Sequence, residues 1–255
     1  MLPGMLANTL VEACVDTIES AAAAARGGAQ RLELCANLVE GGTTPSAGVI
    51  ALACARLPVP VYVMIRPRGG DFCYTPLEFE AMQHDVADAK RLGAAGVVFG
   101  ILEADGTVDT ARTRTLVEVA RPLPVTFHRA FDVTRDPHEA LGALIALGVD
   151  RVLTSGQQAS VPAGLPLIAE LVRQAGGSIG ILPGGGITAA NVTEVVRVAC
   201  VREVHVHAAR AFPSPMRFRN AAVIMGGRYA PDEYRRSETA AEQIAAVVDA
   251  LAGTP

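Results

Sequence analysis

Two segments near the start of the chain share one spacing, a glutamate followed two residues later by a cysteine. They contain Glu12 with Cys14, and Glu33 with Cys35. Side chains alternate faces along a strand, so each carboxyl group would share a face with its thiol. Glutamate is costly to bury alone. The repeat therefore predicts a polar site within an apolar sheet, with thiols suited to soft metals and carboxylates suited to acid–base chemistry.

Both pairs also have a purely structural interpretation. Glu12 and Glu33 could form buried ion pairs with arginines such as Arg66 and Arg68. A buried free cysteine often packs only as a small apolar side chain. The spacing alone leaves these alternatives open.

Further polar side chains follow two other β-rich segments. The segment IRPRGGDF places Arg66, Arg68 and Asp71 after one strand, and VTFHRAFD places His128 and Arg129 after another. A histidine at the end of a strand can serve as an acid, a base or a ligand. The arginines favour an anionic ligand, because a guanidinium group pairs well with carboxylate or phosphate oxygens.

A glycine-rich turn, Gly184-Gly185-Gly186, links the seventh predicted strand to a helix. Its backbone N–H groups could bind an anion, or the turn could simply need positive φ angles. Ser155 ends the sixth strand and His205 lies on the eighth, so both are expected nearby. No second glycine turn follows the eighth strand, where Arg210 is the candidate to complete the anion site.

The elements that would bring these residues together recur with a regular period. Each interval of 21 to 36 residues accommodates one strand and one crossover helix. The pattern predicts a (β/α)8 TIM-type barrel, whose C-terminal mouth carries the functional residues. A doubly wound open sheet is the rival, but the G-x-G-x-x-G turn of dinucleotide-binding versions is missing after the first strand. The eight strands are predicted to begin near Leu10, Arg31, Val61, Val97, Leu123, Arg151, Ser178 and Glu203.

Capping signals mark the helix starts between these strands. Thr75-Pro76 with Glu78, and Asp136-Pro137 with Glu139, combine a cap residue, a proline and a carboxylate. Asp16, Thr44 and Thr188 are predicted as further N-caps, and the last helix is predicted over residues 237–252. Residues 212–231 have no clear secondary structure; they could fold across the mouth or contact a neighbouring subunit.

Composition excludes several classes of function. The 255 residues are 50% hydrophobic and carry a net charge of −4, which disfavours nucleic acid and anionic membranes as partners. No segment approaches the roughly 20 apolar residues of a membrane span. Residues 1–8 are predicted to be a flexible leader, and residues 9–255 a single domain.

Cysteine and lysine content narrows the chemistry further. Five cysteines in a chain of this size fit a reducing cytoplasm better than a disulfide scaffold. Lys90, the only lysine, lies in a helical segment, so lysine-dependent Schiff-base and pyridoxal chemistry are not expected. We expect no nucleotide or flavin either.

Taken together, the segments resemble the CutC family of copper-homeostasis proteins. The resemblance extends from about Leu10 to the C-terminal helix and is carried by VEACVD, RLELCANLVEGG, IRPRGGDF, VTFHRAFD, PGGGIT and EVHVHAAR. It implies a (β/α)8 barrel, a cytoplasmic location and a homo-oligomer. It also implies a Cu(I) site at Cys14 and Cys35.

Two functions follow, with a third held as the alternative to both. The first is Cu(I) binding by Cys14 and Cys35, with Met64 as a third ligand. The second is a hydrolase or lyase acting on a small anionic or sugar-like substrate. In that enzyme Glu12 or Glu33 would be the general base and His128 the acid, while Arg66 and the glycine turn held the anion. The third is a non-catalytic scaffold that recognises partners through its outer helices.

Overall fold

The computed structural model describes residues 6, 8–220, 222, 223, 225 and 233–253, and within them eight parallel strands form one sheet. Each strand begins within two residues of its predicted start, and β5 and β7 begin two residues later than expected. The strands are β1 Leu10–Val15, β2 Arg31–Leu34, β3 Val61–Met64, β4 Gly96–Phe99, β5 Val125–Phe127, β6 Arg151–Thr154, β7 Gly180–Pro183 and β8 Glu203–Val206.

The sheet closes into a barrel, which confirms the predicted (β/α)8 fold. Neighbouring strands pair in the order β7-β6-β5-β4-β3-β2-β1-β8. The two ends of this order meet through a single parallel bridge between Gly184 and His205. The join between β7 and β8 therefore has fewer ladder hydrogen bonds than the pairing of β1 with β8, which spans Leu10 to Ala13.

Helices cover the outside of the barrel, and two of the predicted capping motifs are confirmed. Thr75 and Glu78 form a complete capping box, and the Asp136 side chain accepts from the backbone N–H of Glu139. The helices are α1 Ile18–Arg26, α2 Ala47–Arg56, α3 Pro76–Arg91, α4 Thr110–Ala120, α5 Pro137–Ala146, α6 Val161–Ala175, α7 Val192–Ala199 and α8 Ala241–Ala252. Within the described ranges, none of these helices is both long and apolar enough to cross a membrane.

Three predicted N-caps were wrong by one to three residues. The caps are Thr17, Ser46 and Asn191 in place of Asp16, Thr44 and Thr188. Thr44 has another role, because its hydroxyl accepts from the backbone N–H of Arg66. The tertiary contact thus decides which of several neighbouring polar residues caps the helix.

An antiparallel hairpin follows the barrel. Strand β9 (Ala209–Pro213) pairs with β10 (Arg235–Thr239), and the backbone N–H of Thr239 donates to Ser20 in α1. The last helix therefore begins at Ala241 and not near residue 237, because residues 235–239 pair with β9. Of the segment 212–231, residues 221, 224 and 226–231 lie outside the described residues, as does most of the expected leader.

The barrel wall is buried on both faces, as expected for a parallel sheet. Outward-facing side chains pack beneath the helices in one large apolar cluster, which includes Leu32, Phe99 and Phe127. The interior differs, because it contains a small separate cluster and several buried charged groups. The small cluster consists of Cys14, Cys35, Tyr62, Met64 and Val98.

Candidate functional site

A cavity of about 340 Å³ opens at the C-terminal ends of the strands, and we call it the mouth cavity. It brings together predicted site residues from five different strands or the loops after them. Its lining also includes Met64, Phe72 and Asp132, and Leu153 closes part of the wall. The predicted site residues that line it are Cys14, Glu33, Arg66, His128, Arg129 and His205.

Cys14 lines this cavity, and its thiol meets that of Cys35, which lies outside the lining. The Sγ atoms of Cys14 and Cys35 are 4.0 Å apart, and both residues are buried. The hydrogen bond between the two thiols has the largest effect on the pKa of each. It holds the pKa of Cys14 well below its usual value and raises the pKa of Cys35 well above its usual value. The pair therefore consists of one thiol that ionises readily and one that keeps its proton.

Glu12 lies below the cavity and is fully paired. Its carboxylate accepts from Arg31 Nε and lies 2.7 Å from Nδ1 of His205. Burial alone would raise the pKa of Glu12, but the hydrogen bond with His205 and the charge of Arg31 lower it to about 2. The structural interpretation of Glu12 as part of a buried ion pair fits this geometry, although its partner is Arg31 and not Arg66 or Arg68.

Glu33 has a different environment from Glu12. Burial raises the pKa of Glu33 to about 8, and its Oε1 atom accepts from the Cys35 thiol at 3.4 Å. Its Oε2 atom has no hydrogen-bond partner among the described residues and lies 3.6 Å from Nδ1 of His205. The two repeated glutamates thus differ, since one is ionised in an ion pair and the other retains its proton near neutral pH.

His128 is buried and uncharged. Burial, and then the charge of Arg66, lower the pKa of His128 to about 3. Its Nδ1 atom accepts from the backbone N–H of Ala130 at 3.1 Å, so the neutral ring carries its proton on Nε2. At neutral pH the uncharged His128 ring can donate a hydrogen bond, but it carries no extra proton to give up as a general acid. Glu33 is the group that holds an acidic proton near neutral pH.

Acidification should destabilise the wild type more than the variant His128→Gln. His128 gains a proton only in the unfolded chain between about pH 6.5 and about pH 3, so stability falls with decreasing pH by about 1 kcal/mol per unit in this range. Urea unfolding at pH 7, 6, 5 and 4 measures the difference. Parallel stability curves for the two proteins would contradict the assignment of a buried neutral ring.

Arg66 is held by the backbone of two loops. Its Nη1 atom donates to the carbonyl oxygens of Glu40 and Gly42, and Nη2 donates to that of Gly70. The guanidinium also lies 5.0 Å above the ring of Phe72. Arg66 therefore fastens the loops after β2 and β3 to each other, and Nε is its one nitrogen atom without a hydrogen-bond partner in the described chain.

Arg68 and Asp71 do not line the mouth cavity. Arg68 donates to Glu78 at 2.7 Å and to Asp71 at 3.0 Å, and its guanidinium stacks on Tyr74. Asp71 is largely exposed. The predicted ligand-binding role of these two residues has no support from this geometry, because Arg68 lies in the loop beyond the end of β3, where it pairs with Glu78 of α3.

Arg129 lies at the rim, together with Asp132. Its Nε donates to Asp132 at 2.7 Å and its Nη2 to the Ser155 hydroxyl at 2.7 Å. Asp132 also accepts from the Thr154 hydroxyl and from the backbone N–H groups of Ser155 and Gln157. Ser155 thus acts in a network that fixes the loop after β6.

The glycine turn borders the cavity without lining it. Gly184 donates its N–H to the carbonyl of Thr154, and Gly185 accepts from Val161 at 2.8 Å. Gly185 and Gly186 have φ angles of 116° and 76°, which other residues rarely adopt. The tight-turn interpretation is therefore sufficient for these glycines.

Sequence reasoning missed one residue of the site and misplaced another. Arg31 lies inside the barrel between Glu12 and Glu203, at 2.8 Å from the latter. Its position two residues before Glu33 on β2 was the available signal, since both share a face. Arg210 does not complete an anion site, because it pairs with Glu242 at 2.6 Å on the surface.

Comparisons with known proteins agree on one family, CutC. The model of the CutC family matches residues 9–210. A CutC family protein from Chromobacterium violaceum is 49% identical over 244 residues, which cover 96% of this chain and 98% of that protein. A human protein named copper homeostasis protein cutC homolog is 50% identical over 225 residues, covering 88% of this chain and 82% of that protein.

Solved structures that resemble this chain include a CutC protein and other barrels. A crystal structure of CutC from Streptococcus agalactiae superimposes with a TM-score of 0.74 at 36% identity, covering 77% of this chain and 97% of that one. Phosphoribosylanthranilate isomerase from Pyrococcus furiosus aligns with a TM-score of 0.56 at 16% identity, covering 96% of this chain and 100% of that one. The second similarity concerns the barrel fold alone.

Proposed function

Because the chain belongs to the CutC family, we propose that it acts in copper homeostasis by binding Cu(I) through Cys14 and Cys35. The observation that carries the proposal is the 4.0 Å separation of the two Sγ atoms. Metal–thiolate bonds are about 2.3 Å long, so two of them span at most about 4.6 Å. One ion can therefore contact both sulfurs without a change in the backbone.

The surrounding side chains favour a soft monovalent ion. Cu(I) prefers thiolate and thioether sulfur, and Met64 belongs to the same buried cluster as the two cysteines. Glu33 offers a carboxylate oxygen close to both thiols. Two thiols and a thioether are therefore the soft donors of the proposed ligand set, with the Glu33 carboxyl group beside them.

The proposal includes a reducing compartment, the cytoplasm. Cys14 and Cys35 lie 4.0 Å apart as free thiols, and a thiol pair so close is prone to oxidation. An oxidised pair would have no thiolate to offer a metal. Copper binding through this pair thus depends on an environment that keeps both sulfurs reduced.

Anaerobic titration against a chromogenic Cu(I) chelator tests the proposal. We expect one equivalent of Cu(I) to be withheld from the chelator, and the variant Cys73→Ser/Cys200→Ser to bind equally, because it removes only the exposed thiols. A wild type that withholds no copper, or a control variant that loses its copper, would show that Cys14 and Cys35 are not the site.

A further inference from the structure

Three buried polar atoms around the mouth cavity lack a hydrogen-bond partner in the described part of the chain. They are Nε2 of His128, Nε of Arg66 and Oε2 of Glu33. Each residue is at most 5% exposed, and all three line the same cavity. Unpaired buried polar groups are rare because each carries a desolvation cost. Their convergence on one cavity indicates a polar ligand.

Arg66 supplies the charge that this ligand must match. Its guanidinium is buried and donates to three carbonyl oxygens, but no carboxylate lies within 4.0 Å of it among the described residues. A buried charge without a counter-ion is costly. The ring of Phe72 lies 5.0 Å from Arg66 and 5.0 Å from the ring of His128, so it packs against both.

His128 supplies a second donor of fixed orientation. Its Nδ1 atom accepts from Ala130, which leaves the proton on Nε2. The low pKa of the ring, about 3, agrees with a neutral donor at physiological pH. A cationic and a neutral N–H together suit the oxygens of one carboxylate.

The acidic residues around the cavity limit the charge that it can hold. Asp132 pairs with Arg129 at the rim, and Glu33 retains its proton near neutral pH. Cys14 and His205, whose pKa values are shifted toward an ionised pair, face the cavity beside them, so Arg66 is the cation left without a counter-charge. A doubly charged phosphate would meet two carboxyl groups. In either protonation state, Oε2 of Glu33 can pair with a hydroxyl group, by accepting from it or donating to it.

We propose that the mouth cavity binds a small hydroxycarboxylate, with its carboxylate between Arg66 and His128 and its hydroxyl at Glu33. The cavity volume of about 340 Å³ is at the lower end of the range for ligand sites, which suits a molecule of a few carbon atoms. The site goes beyond Cu(I) binding and uses neither thiol. It places the anion on the β3 and β5 side of the mouth, away from the glycine turn.

Isothermal titration calorimetry with lactate, glycerate, propionate and inorganic phosphate tests the site on the full chain. Lactate and glycerate should bind, and propionate, which lacks the hydroxyl group, should bind about tenfold more weakly. Phosphate should give no saturable heat. The variant His128→Phe should weaken lactate binding by about tenfold or more, whereas His128→Gln, which keeps an N–H donor, should bind close to wild type.

Cu(I) titration of the same variants separates this site from the copper site. His128→Phe should still withhold one equivalent of Cu(I), which also shows that it is folded. The inference is wrong if neither lactate nor glycerate binds to the wild type. It is equally wrong if phosphate binds more tightly than both, or if His128→Phe and His128→Gln bind lactate alike.

Discussion

The variant Cys14→Ser/Cys35→Ser should lose stoichiometric Cu(I) binding. Serine is nearly isosteric with cysteine, but its hydroxyl is a hard ligand that does not ionise at neutral pH, whereas Cu(I) prefers soft thiolates. Changes that merely reorient a metal ligand cost about 10- to 100-fold in affinity, so loss of both ligands should exceed about 100-fold. Competition with a chromogenic chelator gives the affinity.

The prediction requires that the double variant stays folded while it loses copper binding. Circular dichroism should show unchanged secondary structure, because both sulfurs belong to a small cluster apart from the main apolar core. The single variant Cys54→Ser, at a partly buried position near the end of α2, provides a matched control and should bind as wild type does. Equal affinities of the double variant and this control would rule out the thiol pair.

Replacing Arg31 with methionine should destabilise the protein by about 3–5 kcal/mol, the cost of removing one partner from a buried ion pair. Arg31 is 4% exposed and bridges Glu12 and Glu203, so methionine fills most of the space but leaves both carboxylates without that counter-charge. This loss is a large fraction of the free energy of unfolding of a typical domain, which is about 5–15 kcal/mol. Urea denaturation measures the loss.

The variant Arg135→Met is the control for Arg31→Met, because it removes an arginine from an exposed ion pair. Arg135 also contacts two carboxylates, Asp105 and Glu139, but it is half exposed. Solvent screens such pairs, so the variant should lose less than about 1 kcal/mol. If the two methionine variants lost similar stability, the ion network inside the barrel would contribute no more than a surface pair.

The positions of the strands could be predicted because the crossover geometry imposes a regular interval between them. Alternation also indicated that Glu33, Cys35 and Arg66 point inward. It could not reveal that the loop carbonyls around Arg66 occupy two of its three nitrogens, because this depends on loop conformations far apart in sequence.

Arg31 shows a second limit of sequence reasoning. Its inward direction followed from the same alternation, but a charged residue at the start of a strand is usually solvent-exposed. Only the closure of the barrel brings Glu203 of β8 across to it. The pairing of residues 235–239 with β9 likewise replaced an expected helical turn, because a long-range strand partner outweighed local helix propensity.

The pairing of the last barrel strand with the first has a consequence for biosynthesis. His205 comes from the last barrel strand, yet it touches Glu12 on the first. A ribosome must therefore deliver almost the entire barrel before the inner wall of the mouth exists. Until β8 pairs with β1, Cys14 and Cys35 lack the imidazole that completes their surroundings.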